Sequence, residues 1–140
     1  MSGGNDFLRS MSIATSGLRA QAGRMRVISE NIANADSTAK TAGGDPYRRK
    51  IPTFSSELDR TIESRVVTLG KIKTDTSDFR VKHEPGNPSA DANGNVKYPN
   101  VNSLVEMTDM REAQRSYEAN LNIISATRRM IQRTLDILKA

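Results

Sequence analysis

The chain has one histidine, His83, no cysteine, and sixteen carboxylates set against twenty-one basic side chains. Nucleophilic catalysis would need a histidine or a thiol held close to a second polar group that orients it. His83 stands in the loop-like run His83-Glu84-Pro85-Gly86, where a surface role is the simpler reading. Most carboxylates are interleaved with Lys and Arg, as on solvated faces. The chain therefore reads as a non-enzyme with no catalytic residues and no cofactor. "SADANG" at 89–94 approaches half of a calcium loop but fails at both ends. Ser89 stands at the first ligand position, and Asn100 where a bidentate glutamate belongs. A turn with Asn93-Gly94 at positive φ is expected instead, and no metal.

Charge gives a second exclusion. The net +5 is spread along the chain, with four basic and two acidic residues in 1–35, eleven and nine in 36–100, and six and five in 101–140. A phosphate-binding surface gathers its basic groups on one face or arm. "YRRK" at 47–50 is the only dense cluster and reads as a solvated strand or loop, so nucleic acid is not an expected partner. No run approaches the ~18 apolar residues of a membrane span, so the chain is not expected to cross a membrane. "MSGGNDFLRSMSIATSG" lacks the basic start and long apolar stretch of a secretory signal. Without cysteine there are neither disulfides nor thiolate sites.

Two amphipathic segments organise the rest. Alternate steps of three and four from Met11 reach Ala14, Leu18, Gln21, Met25, Ile28, Ile32 and Ala35, apolar at all but Gln21. That is the spacing of a coiled-coil seam. Asp6 or Ser10 is expected to cap a helix over 10–34, about 37 Å long at ~1.5 Å per residue. From Met107 the same steps reach Met110, Gln114, Tyr117, Leu121, Ile124, Arg128, Ile131, Leu135 and Leu138. Ser103 and Glu106 read as a capping box at its start. Ile123, Ala126, Met130 and Ile137 add a second stripe, wide enough for more than one neighbour. Met11, Met25, Met107, Met110 and Met130 fall on or beside the seams, as adaptable packing would require.

Between these segments, Gly, Pro, Asn and Asp punctuate turns. "YRRKI", "RVVTL" and "DFRVKHE" are candidate strands, while "SSELDRTIESRVV" at 55–67 fits a short helix as an alternative. The expected fold class is mainly α, with long N- and C-terminal helices paired as a coiled coil and a small loop/β-rich middle segment. The divisions expected are 1–35, 36–100 and 101–140. Only six aromatics and no tryptophan point to apolar surface completed by neighbouring chains.

"ISENIANADS" at 28–37 places two asparagines at the end of the first helix, where they compete with its backbone. Asn31 and Asn34 are expected to end the helix by satisfying its last carbonyls or a neighbouring subunit's backbone. Asparagine tolerates the left-handed conformation that such an exit is expected to use.

"SGLRAQAGRMRVISENIANADST" (16–38) resembles the N-terminal signature of bacterial flagellar rod and hook proteins. "DPYRRK" (45–50), "EPGNPSADANGNVKYPNVN" (84–102) and "EMTDMREAQRSYEANLNIISATRRM" (106–130) are similar to the smaller proximal rod members of the basal-body rod family, its C proteins. Asp36-Ser37, Asn87, Ser89 and Asn95 depart from the family pattern, all in turns. The resemblance implies a structural subunit that assembles helically into the periplasm-spanning drive shaft around the export channel. It implies as partners copies of this chain, other flagellar rod proteins, the membrane-ring and export-gate base, the distal rod, and the flagellar type III export apparatus. Localisation would be the basal-body rod in the periplasm, reached without a cleaved signal peptide. Leu18, Met25, Ile28, Ile32, Tyr117, Leu121, Ile124, Ile131 and Leu135 would be its packing residues, with Asn31 and Asn34 assembly residues. A cytosolic coiled-coil adaptor is the alternative for a chain of two long helices.

Overall fold

The computed structural model describes residues 2–139. In chain order the elements are α1 (Ser2–Ala33), β1 (Lys50–Ile51), β2 (Phe54–Asp59), β3 (Ser64–Leu69), β4 (Lys73–Thr74), β5 (Arg80–His83), β6 (Asn95–Tyr98) and α2 (Ser103–Lys139). Two long helices thus flank a small β-containing middle. Among the described residues, no helix is long and apolar enough to cross a membrane. The chain divides into two units. One takes the chain up to Met25, Thr53–Lys71, and the chain from Glu112 onward. The other takes Arg26–Pro52 and Ile72–Arg111.

In the first unit, α1 lies antiparallel to α2. Phe7 lines a groove with Ile131 and Leu135, Gly17 faces Asn120, and Arg24 reaches Glu112 at 3.6 Å. The expected caps at Asp6 and Ser10 are not used, because the helix continues back to Ser2 and both residues lie exposed within it. Gly3 and Gly4 are poor helix formers, but Phe7 is half-buried beside α2, and such packing overrides propensity. The stripe that α2 turns inward runs through Ala113, Tyr117, Asn120, Ile124, Thr127 and Ile131. Its polar members are satisfied within the helix: Thr127 Oγ1 donates to the Ile123 carbonyl at 2.8 Å and Asn120 Nδ2 to that of Ser116 at 3.0 Å.

Residues 55–67 form strands, which excludes the helical alternative. β2 and β3 pair antiparallel from Phe54↔Leu69 to Asp59↔Ser64, with Val66, Val67 and Thr68 supplying β-branched side chains suited to a pleated surface. At the tip, Asp59 Oδ1 accepts from the Thr61 N–H at 2.8 Å, and Glu63 takes a φ of 50°. At the base, the Gly70 N–H donates to the Thr53 carbonyl at 2.6 Å, and Thr53 Oγ1 donates to the Lys71 carbonyl. The hairpin approaches α1 where the helix carries small side chains. The Val67 N–H donates to Ser16 Oγ at 3.3 Å, and Leu69 covers Gly23. A groove of about 620 Å³ between hairpin and helix is lined in part by Met11, Thr15, Ala20 and Val66.

The second unit holds β1 paired with β4 (Lys50↔Thr74, Ile51↔Lys73) and β5 paired with β6 (Arg80↔Tyr98, His83↔Asn95), all antiparallel. It contains the most enclosed large side chains, including Ile28, Asn31, Val96, Pro99, Val101 and Glu106. In the first unit the buried residues are small: Ala14, Ala20, Ala113 and Thr127, with Gly23. The start of α2 is capped by Asn102, not by Ser103 with Glu106. Asn102 Oδ1 accepts from Leu104 N at 3.1 Å and Val105 N at 3.4 Å, while Glu106 turns inward to other partners. The expected turn at Asn93-Gly94 is present, with positive φ at Gly94 alone (80°).

A Cβ added at Gly23 would lie 2.7 Å from Leu69 Cδ2. Gly23→Ala gains helix propensity of about 1 kcal/mol, which offsets a small shift of Leu69. Gly23→Leu has no such compensation and is expected to cost about 1–3 kcal/mol by overpacking. Urea unfolding of the two variants checks this, with Gly3→Ala as a control at a site where a Cβ meets nothing within 4 Å.

Candidate functional site

Asn31 sits in the last turns of α1 and is fully enclosed. Its Oδ1 accepts from the Lys50 N–H at 3.0 Å and from the Tyr47 hydroxyl at 2.7 Å. Its Nδ2 donates to the Lys50 carbonyl at 2.8 Å and to Glu106 Oε2 at 3.3 Å. All the amide's donors and lone pairs are thus engaged. Towards Lys50 the side chain behaves like the edge of a neighbouring strand, exchanging both an N–H and a C=O bond. The expected role is therefore altered: Asn31 holds the backbone of β1 in its own chain, not the carbonyls of its own helix.

Asn34 does act on its helix, donating Nδ2 to the Glu30 carbonyl at 2.8 Å beside its own backbone bond to that oxygen at 3.1 Å. It does not take the left-handed conformation. The exit runs through a turn in which Ala35 N and Ser37 N bond back to Ile32 and Asn34, so no positive φ is needed.

Glu106 joins the two helix ends of this unit to the "YRRK" segment. Its Oε1 accepts from Arg49 Nε while Oε2 takes the Asn31 amide. Arg49 also reaches Asp75 at 3.3 Å and Asp109 at 4.0 Å. Its backbone is held as well: the N–H donates to Asn100 Oδ1 at 2.8 Å, and the carbonyl accepts from Asp75 N at 2.9 Å. Burial opposes the Arg49 charge, but hydrogen bonds and charge from Glu106 and Asp75 outweigh it and hold its proton more firmly than usual. The Ser77 N–H and hydroxyl, and then Arg49, hold the Asp75 carboxyl below the usual carboxylate range. Burial, with Glu30 and Glu106 nearby, pushes the Tyr47 hydroxyl up to about 12.

A smaller cluster ties the turn after α1 to β6. Arg80 donates to the carbonyls of Ala35 at 2.7 Å and Pro99 at 3.0 Å, and its guanidinium lies 6.0 Å from the centre of the Tyr98 ring. Tyr98 donates its hydroxyl to Glu84 at 2.8 Å. These groups fix backbone. They assemble no nucleophile with a base, and the single histidine, His83, bonds Asn95 across the β5–β6 pair.

The sequence-derived packing residues fall into two groups. Ile28 is buried, and Leu18, Met25, Ile32, Tyr117, Ile124 and Ile131 are half-buried. Leu121 and Leu135 are 45% exposed, and Ile123, Met130 and Ile137 are exposed at seven-residue spacing along one flank of α2. Asn31 was flagged by its improbable place in a helix. Arg49 and Glu106 were missed: one looked like part of a solvated cluster and the other like half of a capping box, and no local spacing links residues 57 positions apart.

Truncating Glu106 leaves the Arg49 guanidinium and the Asn31 amide without their acceptor, so Glu106→Ala is expected to cost about 3–5 kcal/mol. Glu106→Gln, which keeps an acceptor, should cost less, and denaturant unfolding ranks the two. A pH effect follows from Tyr47. The folded chain holds its phenolic proton above the ordinary value of 10, so this contribution is intact below about pH 10 and is lost as pH rises towards 12. Urea midpoints measured across that range should fall less steeply in Tyr47→Phe.

Residues 11–39 match the family described as Flagella basal body rod protein, and residues 92–137 match the Flagellar basal body rod FlgEFG protein C-terminal family. The flagellar basal-body rod protein FlgC of Agrobacterium fabrum is 56% identical over 91% of this chain and 92% of its own. The FlgC proteins of Bacillus subtilis and Salmonella typhimurium are 40% and 37% identical, over 93% and 94% of this chain and 97% of each of theirs. The first family match carries Asn31 and Asn34, and the second carries Glu106 with most of α2. With end-to-end likeness to several such relatives, the chain belongs to the family of flagellar basal-body rod proteins, with the FlgC proteins.

Proposed function

We propose that this chain is a structural subunit of the flagellar basal-body rod, built into the periplasm-spanning shaft by helical assembly with copies of itself and with other rod proteins. The observation that carries the reading beyond family membership is the unfilled apolar surface of α2. Leu121, Ile123, Met130, Leu135 and Ile137 are exposed at helical spacing along a helix whose buried contacts are small. Each such side chain is worth roughly 1.5–3 kcal/mol when fully buried. Neighbouring subunits are the natural source of that burial.

In this reading residues 1–35 and 101–140 form a coiled-coil core around the export channel, and residues 36–100 form the outer segment. The antiparallel approach of Phe7, Gly17 and Arg24 to Ile131, Asn120 and Glu112 supports the pairing. Leu18, Met25, Ile28, Ile32, Tyr117, Leu121, Ile124, Ile131 and Leu135 pack that core, while Asn34 caps the end of its first helix and Asn31 anchors β1 to it. The chain leaves the cytoplasm by the flagellar type III route, and it meets the membrane-ring and export-gate base below and the distal rod above. Its work is mechanical, with no catalytic step.

Leu121→Asp places a charge in the proposed interface and is expected to block incorporation and motility while leaving the chain exportable. Fractionation of flagellated cells followed by protease challenge reads this directly. The wild-type chain should appear in detergent-resistant envelope particles with 10–34 and 104–139 protected, and Leu121→Asp should be absent from them. Motile cells carrying Leu121→Asp would sink the packing assignment.

A further inference from the structure

The sequence contains one Asn-Gly step, Asn93-Gly94, in the connection between β5 and β6. We propose that Asn93 is a site of self-catalysed deamidation that the folded turn keeps latent. In this reaction the deprotonated backbone nitrogen of Gly94 attacks the side-chain Cγ of Asn93. The bond from Cγ to the amide nitrogen breaks, ammonia leaves, and a five-membered succinimide forms. Water then adds to either imide carbonyl and opens the ring to aspartate or isoaspartate. No oxidant, metal or enzyme takes part. Glycine at the second position presents no side chain to hinder the attack, and Asn93 is exposed, so water and base have access.

The turn opposes the first step from several directions. The Gly94 N–H that must lose its proton donates to the Asp91 carbonyl at 3.0 Å. Asp91 Oδ1 accepts from both Asn93 N at 2.8 Å and Asn95 N at 2.9 Å, which fixes the peptide planes on either side. The Gly94 carbonyl accepts from Glu84 N at 2.9 Å. Gly94 itself is buried at a φ of 80°, where a Cβ would lie 3.0 Å from both His83 and Pro85. Rotating the Gly94 nitrogen towards Cγ therefore requires the turn to open first, and the reaction follows the open population. Aspartate at 93 would add a charge beside Asp91. Isoaspartate would add a methylene to the backbone and break the Asp91 clamp. The chain is thus spared while folded and altered while unfolded.

The test follows the mass gain of deamidation in the full chain, localised to the peptide containing Asn93, in mildly alkaline buffer with and without urea. Deamidation of the native chain is expected to be at least about tenfold slower than that of the unfolded chain, given the several hydrogen bonds that must open. Asp91→Ala should raise the native rate several-fold, and Asp91→Asn, which keeps the acceptor without the charge, should stay slow. Equal native and unfolded rates in the wild type would overturn the proposal without recourse to any variant. An unchanged rate in Asp91→Ala, or equal acceleration by Asp91→Asn, would overturn it as well.

Discussion

One primary amide carries an unusual share of this fold. β1 is two residues long, and its ladder with β4 spans only Lys50↔Thr74 and Ile51↔Lys73. So short a pairing is marginal by itself. Asn31 supplies what a third strand would, bonding the Lys50 N–H and C=O together, while its remaining capacity goes to Tyr47 and Glu106. An apolar residue of the same size would leave both partly buried backbone groups without this partner, at a cost of up to about 1–3 kcal/mol each. Glutamine would carry the amide one methylene too far. The helix tolerates asparagine here because the lost propensity is a few tenths of a kcal/mol, small beside four satisfied hydrogen bonds.

The same contrast explains how polar and apolar groups are distributed. Arg49, Asp75, Asp109 and Glu106 form a charged cluster in the unit that also holds Val96, Tyr98 and Val101. Buried charge adds little stability by itself, but it penalises wrong arrangements heavily, because each misplaced partner leaves a charge uncompensated. In the other unit, discrimination comes from shape. Gly17 and Gly23 let Asn120 and Leu69 approach α1 closely, which sets where α2 and the hairpin meet that helix.

Much of this was legible from the residues. Seam spacing located both helices, and the short runs "RVVTL" and "DFRVKHE" between turn residues located β3 and β5. The start of α1 was misplaced because Phe7 settles it by packing against a segment more than a hundred positions away, which no local cap reports. Glu106 was misread for the opposite reason: a valid local motif, Ser-x-x-Glu, was present but not used, since a neighbouring asparagine caps equally well. Residues 55–67 were ambiguous because "ELDRTIES" is rich in helix formers. The ladder to Leu69 and the turn at Asp59 and Thr61 decide for strands. The Arg49–Glu106 bond had no signal in a single sequence, as nothing in the spacing distinguishes a buried arginine from a solvated one.

The closure at the foot of the β2–β3 hairpin has an evolutionary consequence. Thr53 bonds both Gly70 and Lys71 there, so the chain leaves and returns through a fixed neck whatever lies beyond it. At the far end Glu63 sits in a strained, exposed turn. Residues added or removed at that tip change a loop and one exposed ion pair, Glu63 with Arg9 at 3.5 Å, and doubling a loop's length adds only about 0.6 kcal/mol of closure entropy. The hairpin is accordingly a place where a lineage can lengthen or shorten this protein, or an experimenter can graft an epitope, without disturbing the frame of either long helix.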